Sequence, residues 1–179
     1  MMYSLPTRSR RANVWLDEAP PASFTASSIV KRVVKPKKAI LTSHRIAAIE
    51  MMLPRGPYIG YALLGGELGE SDIDGLEVGV SVNSRGARFK SSLVPMGDEG
   101  MIGLEDEYVK GVLAGIEQMN ESSGLPSGAS LRFRWAAHGE AGSSIKVFAG
   151  LSGLVVHLLT LRKGVSEKEI TDIVLGWSV

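Results

Sequence analysis

Three residues on one predicted turn could form a hydrolytic site. His138, Glu140 and Ser143 lie close together between a predicted strand and a predicted helix. A serine becomes a nucleophile when a base lies within hydrogen-bond distance and a third group orients that base. His138 could be the base for Ser143, with Glu140 or a distant acid as the orienting group. A structural interpretation competes with this one, because Ser143 and Ser144 can cap the helix that follows. The G-x-S-x-G sequence of many serine hydrolases does not occur.

The basic residues of the N-terminal third could instead bind an anionic partner. Residues 1–56 include ten basic and three acidic residues, whereas the remainder includes ten basic and sixteen acidic ones. The near-neutral total of +1 therefore combines a +7 segment with a −6 segment. This division indicates an anionic partner, or a basic segment that docks on an acidic body. The candidate binding residues are Arg8, Arg10, Arg11, Lys31, Arg32, Lys35, Lys37 and Lys38.

Further cations lie on a predicted strand near residue 132. Arg132 and Arg134 alternate with Phe133 and Trp135, so we expect the arginines on one face and both aromatic rings on the other, in the core. Basic and aromatic residues on strands also occur in sheet-type RNA-binding domains. A phosphate-binding face could combine the two arginines with the N-terminal cations and with Arg85, Arg88 and Lys90.

Metal and cofactor chemistry finds little support in the residue types. The sequence has no cysteine and three histidines, which excludes disulfides and thiolate chemistry and disfavours a zinc site. Four acids near residue 70 could ligate a hard cation, but their spacing differs from an EF-hand loop and favours a solvated turn. These acids are Glu67, Glu70, Asp72 and Asp74. No P-loop or dinucleotide-binding glycine pattern occurs, so we expect no metal and no cofactor.

The chain divides into an arm and one domain. Residues 1–27 are predicted to form an extended basic arm, because prolines interrupt any helix and no periodicity is sustained. Trp15 and Phe24 would anchor the arm to the body. Residues 28–179 are predicted to form a single α+β domain.

The predicted elements of that domain follow from hydrophobic periodicity. Strands are predicted over residues 28–35, 58–64, 76–82, 87–94 and 130–136. Helices are predicted over residues 43–53, 104–120, 145–162 and 166–175, the last beginning with a capping box. Because the strands and helices do not alternate regularly, we expect a mixed sheet of about four or five strands with helices on one face.

The helix predicted over residues 145–162 is apolar on nearly all sides. It is polar only at Lys146, Ser152, His157 and Thr160 over most of its length, so it is either central or part of a subunit interface. It is shorter than the roughly 18–20 apolar residues of a membrane span. No targeting segment is recognisable, and a cytoplasmic location without membrane association is expected.

Four short stretches of the C-terminal half form a recognisable series. They are EYVKGV at residues 107–112, GLP at 124–126, LRF at 131–133, and His138 followed by the serine pair at 143–144. They give residues 104–159 a resemblance to domain IV of elongation factor G, the translocation GTPase. It implies a split β-α-β fold and contact with RNA through tip loops, which would correspond to Gly65–Gly75 and the turn near Pro126. GTP hydrolysis is not implied, because the 179 residues include no P-loop.

These observations favour a non-enzymatic binding or assembly protein. It would act through the basic arm and the apolar helix surface, and would self-associate or bind a protein partner. One alternative is an RNA- or DNA-binding protein, and the other is a small hydrolase that uses His138 and Ser143.

Overall fold

The computed structural model describes residues 1–6, 11–40, 43–55, 58–84 and 86–177. In chain order, the strands are β1 (Met2–Pro6), β2 (Arg11–Leu16), β3 (Ser28–Val34), β4 (Ala39–Ile40), β5 (Arg45–Arg55), β6 (Tyr58–Glu70), β7 (Leu76–Val82), β8 (Arg88–Phe89), β9 (Gly100–Ile102), β10 (Leu125–Pro126) and β11 (Ala129–Gly139). The helices are α1 (Asp106–Ser122), α2 (Ile145–Leu159) and α3 (Glu167–Gly176).

The fold is mixed α+β, as predicted, but its sheet is larger than expected. Nine strands belong to one curled sheet, instead of four or five, and its main path runs β1-β2-β5-β6-β11-β7-β3. All pairings along that path are antiparallel except β11 with β7, which are parallel and joined through α1. Beyond the end of β7, β9 pairs with the second half of β11. The short strands β4 and β10 form a separate parallel pair.

Two strands of the sheet, β1 and β2, lie within the predicted arm. Strands β1 and β2 form an antiparallel pair, and β2 pairs with β5 with Trp15 opposite Ala48. Val14, Trp15 and Leu16 are buried. Each strand is at most six residues long, and β2 joins the sheet through β5, which is distant in sequence, so no local pattern predicts either strand. Arg8 and Arg10 lie outside the described residues.

Strand β5 corrects the helix predicted over residues 43–53. The apolar spacing suggested a helix, and alanine and methionine are good helix formers. In the structure, Ile49 and Met51 face one side of the sheet while Ala48 faces the other, and all three are fully buried. A strand that is buried on both faces is a continuous apolar run, which periodicity alone does not distinguish from a helix.

The predicted helices 104–120, 145–162 and 166–175 correspond to α1, α2 and α3, and strand 76–82 corresponds to β7. Ser166 and Glu169 form the predicted capping box of α3. The predicted strand over residues 87–94 is reduced to β8, which pairs with β9 and not with β7. Strand β6 continues to Glu70, so the predicted acidic loop is confined to residues 71–75.

The sheet has two differently covered faces. We call the first the helix face, because the buried apolar residues of all three helices belong to its cluster together with Ile49, Leu64 and Phe133. The second, the outer face, has a smaller cluster that includes Trp15, Leu63 and Trp135. Ten of the fifteen residues of α2 are buried, so this helix is central to the described fold.

Candidate functional site

The structure does not bring the predicted hydrolytic pair together. His138 lies at the end of β11 and is buried. Its Nδ1 atom lies 3.1 Å from the Gly103 carbonyl oxygen and its Nε2 atom 3.2 Å from Glu105 Oε1. Both ring nitrogens therefore face oxygen acceptors that belong to the α1 side of the site, and neither faces Ser143.

Ser143 is also committed to the backbone. Its hydroxyl donates to the Tyr61 carbonyl at 2.6 Å and accepts from the Gly139 N–H at 2.9 Å. Ser144, rather than Ser143, caps α2 by accepting from the Val147 N–H. Glu140 is exposed at the turn. The turn is thus explained by hydrogen bonds that hold β11, β6 and α2 together.

Asp98 completes this structural turn. One carboxylate oxygen accepts from the Ala141 N–H at 3.0 Å and the other from the Gly142 N–H at 2.9 Å. The carboxylate therefore fastens the loop before β9 to the start of α2. The N–H groups of Ala141 and Gly142 are therefore already hydrogen-bonded.

The predicted N-terminal cations are dispersed, and several pair with acids of the body. Lys31 lies 3.8 Å from Glu77 across the sheet. Arg32 and Lys37 form ion pairs with two exposed glutamates of α1, Glu117 and Glu121. Arg11 is exposed on β2, which four strands separate from β3. Lys35 and Lys38 are exposed beside the end of α1. The basic segment thus docks partly on the acidic body, which was one of the two interpretations of the charge division.

A different set of cations converges on the outer face. The strand register aligns Glu67 of β6, Arg132 of β11, Gly79 of β7 and Lys31 of β3 in one row across the sheet. Their neighbours along the strands, such as Leu131 and Val78, belong to the helix face. Since side chains alternate between faces, the whole row lies on the outer face. Gly79 therefore leaves a gap without a side chain between two cations.

A β-bulge changes which residues share this face. The pairing of β11 with β6 shifts between Phe133 and Trp135, where Arg134 is the extra residue. Phe133 consequently lies in the helix-face cluster, whereas Trp135 lies in the outer-face cluster with the arginines. This corrects the prediction that both aromatic rings lie opposite the arginines. The Arg134 guanidinium carbon lies 5.2 Å from the centre of the Trp135 ring.

Trp135 is a support for the face and not an open stacking platform. The ring is buried, and its Nε1 atom donates to Ser23 Oγ at 3.1 Å. Gly65 allows this packing, because a Cβ atom there would lie 2.8 Å from the Ala48 Cβ and 3.2 Å from the Trp135 Cβ. The ring can therefore position Arg134 without being exposed itself.

Glu67, the acid of this row, forms ion pairs with Arg134 and His44 and not with Arg132. Glu67 lies opposite Arg132, but its oxygens contact Arg134 at 3.0 Å and His44 at 3.2 Å. Burial favours a higher pKa for Glu67, but hydrogen bonds and charges from Arg134 and His44 outweigh that effect and lower the pKa. Arg132 is exposed and forms no ion pair with any described residue. Its positive charge is therefore available to an anionic ligand.

The gap at Gly79 opens into a cavity of about 370 Å³. Its walls combine apolar groups, such as Phe24 and Ile29, with polar ones. The polar groups are Lys31, Arg132, Arg134, the hydroxyls of Ser81 and Ser130, and the Glu77 carboxylate, which lies 3.8 Å from Lys31. This volume lies within the range of small-ligand sites. The cavity offers cationic and hydroxyl donors beside an apolar wall, which suits an anionic group attached to an apolar body.

The remaining observations limit the chemistry of the described residues. Across the described ranges, no group of three or more histidine, aspartate or glutamate side chains is arranged to hold a metal ion. Of the helices in those ranges, none combines the length and the hydropathy needed to cross a membrane. No protein-family model matches the chain, and no curated protein or solved structure matches it significantly.

Sequence reasoning found the two arginines of β11 but missed the gap between Arg132 and Lys31. A glycine in the alternating strand 76–82 was a usable signal, because a strand glycine often marks a close approach or an open site. The bulge at Arg134 had no local signal, since it depends on how β11 pairs with β6.

Proposed function

We propose that the protein is a non-enzymatic nucleic-acid-binding protein and that the outer face over β3, β7 and β11 is its binding surface. The observation that carries this proposal is the row in which Gly79 separates Lys31 from Arg132. Adjacent strands lie about 4.8 Å apart, so the two cation-bearing backbones are about 10 Å apart with no side chain between them. A phosphate group can approach both cations there.

The ion pairing of the face supports an anionic ligand. Arg132 forms no ion pair with the described residues, and Lys31 is held only by a long, partly exposed ion pair with Glu77, at 3.8 Å. Exposed ion pairs of this kind contribute about 0–1 kcal/mol, so a phosphate can replace them at small cost. Arginine and lysine are the residues that most often contact nucleic-acid phosphates.

Catalysis by His138 and Ser143 has no comparable support. The His138 nitrogens face Gly103 and Glu105, and the Ser143 hydroxyl is bonded to two backbone groups. Assembly through an apolar helix surface is also weakened, because α2 is buried. Self-association stays a prediction, which light scattering by the purified chain would check.

Binding to a mixed-sequence oligonucleotide at several salt concentrations tests the proposal. We expect the affinity to fall steeply with salt, because phosphate contacts release counterions. Arg132→Ala should weaken binding and reduce the slope of log affinity against log salt by about 1. Arg162→Ala is the matched control, since Arg162 is exposed but pairs with Glu169 of α3, away from the outer face.

The proposal is wrong if the wild-type chain binds no oligonucleotide at low salt. It is also wrong if Arg132→Ala and Arg162→Ala change the affinity and its salt slope equally. Circular dichroism of both variants would confirm that they are folded.

A further inference from the structure

We infer that the cavity above Gly79 seats one phosphodiester group of a single-stranded nucleic acid, with the attached nucleoside against Phe24. This inference rests on the proposed function and adds the strandedness of the partner and the position of the contact. It identifies the missing side chain at residue 79 as the feature that admits the ligand.

The glycine at residue 79 is not required by its backbone. Gly79 has no positive φ angle, so its conformation is open to other residues. A Cβ atom there would meet only Ile29 Cγ2 at 3.7 Å and Arg132 Cγ at 4.0 Å, which are ordinary contacts. A side chain at this position would fold without strain, and its effect would be to fill the space between the two cations.

The donors around that space match a phosphate group. Arg132 and Lys31 are on the strands that flank β7, in register with Gly79. Ser81 and Ser130 add hydroxyl groups to the cavity wall, and the charge of Glu77 in the same wall is offset by its ion pair with Lys31. Two cations and two hydroxyls can bond the non-bridging oxygens of one phosphodiester, and charge-assisted bonds are the stronger ones.

The apolar wall indicates a single strand. Ile29 is 56% exposed. Phe24 packs partly against the helix-face cluster and also lines the rim of this cavity. An apolar wall beside a phosphate site is useful only if the faces of the bases are accessible. Bases in a duplex stack on one another, whereas unpaired bases are free to stack on an aromatic side chain. The wall would therefore favour a single strand over a duplex of the same sequence.

The test compares a glycine of the cavity with one remote from it. Gly79→Val fills the cavity, whereas Gly176→Val is the control, because Gly176 is exposed at the end of α3 and a Cβ atom added there would meet no atom within 4 Å. Fluorescence anisotropy would use a labelled single strand of about 16 nucleotides and the duplex of the same sequence. Urea unfolding of both variants would show that they remain folded.

We expect Gly79→Val to weaken single-strand binding by about tenfold and Phe24→Ala to weaken it about fivefold, with Gly176→Val within about twofold of wild type. Wild-type protein should bind the single strand more tightly than the duplex. Equal affinity for both, or equal effects of the two valine substitutions, would overturn this inference while leaving the Arg132 result intact. If the wild type binds neither oligonucleotide, the proposed function itself fails.

Discussion

Arginine and glycine have opposite roles on the two faces of the sheet. On the helix face, Arg45 is 4% exposed. Its guanidinium donates hydrogen bonds to both carboxylate oxygens of Asp17 and to the carbonyl oxygen of Leu161, just after α2. On the outer face, Arg132 is exposed and unpaired among the described residues. One arginine fastens the N-terminal strands to the helices, and the other is available to a ligand.

The glycines differ in the same manner. Gly115 of α1 lies against α2, where an added Cβ would be 2.0 Å from Ser152 Oγ and 2.2 Å from the Ala149 carbonyl oxygen. A Cβ atom added at Gly79 would make only ordinary contacts, at 3.7 Å from Ile29 Cγ2 and 4.0 Å from Arg132 Cγ. A glycine that permits close packing and a glycine that leaves a site empty are indistinguishable in sequence, and only their surroundings separate them.

The largest effect is expected from the buried arginine. Arg45→Ala should lower the free energy of unfolding by about 3 kcal/mol, because it removes the hydrogen bonds of a buried guanidinium to Asp17 and to the Leu161 carbonyl and opens a cavity. Arg132→Ala should change it by less than about 0.5 kcal/mol. Urea unfolding of both variants measures the difference. Similar losses for both would show that the two arginines have the same role.

A smaller change in stability is expected when Gly115 and Gly79 are each replaced by alanine. Gly115→Ala should destabilise the protein by about 2 kcal/mol, since overpacking between α1 and α2 exceeds the roughly 1 kcal/mol that alanine gains in a helix. Gly79→Ala should be neutral or slightly stabilising, because alanine restricts the unfolded chain. Thermal unfolding of the pair checks this, and a stable Gly115→Ala variant would refute the close packing of the helices.

Much of the helix layer was predictable, whereas the outer face was not. Helix α1 and strand β7 have clear periodicities of apolar residues, and the capping box of Ser166 and Glu169 predicts the start of α3. Strand β5 was mistaken for a helix because its two faces are both buried. The row that contains Lys31, Gly79 and Arg132 depends on the pairing of β11 with β6 and β7. Since β11 is far from both strands in sequence, no local pattern predicts this row.

The smallest effect concerns the ion pairs of the outer face. The pKa of Glu67 is lowered, so its contribution to stability is present above its ordinary pKa of 4.5 and lost as the pH falls through the lower folded value. Arg134→Ala should raise that pKa in an NMR titration. The variant should lose less than about 1 kcal/mol at neutral pH and less still in acid. A pKa that does not change would mean that Arg134 does not bond Glu67 in solution.

The most direct test of the central claim is to map the ligand contact by NMR. Amide chemical shifts would be followed while an unlabelled single-stranded oligonucleotide is added to the labelled protein. We predict that the largest changes lie on the outer face, at Lys31, Gly79 and Arg132, with little change along α1 and α3. Changes concentrated on the helices, or at Lys35 and Lys38 instead of the outer face, would contradict the account.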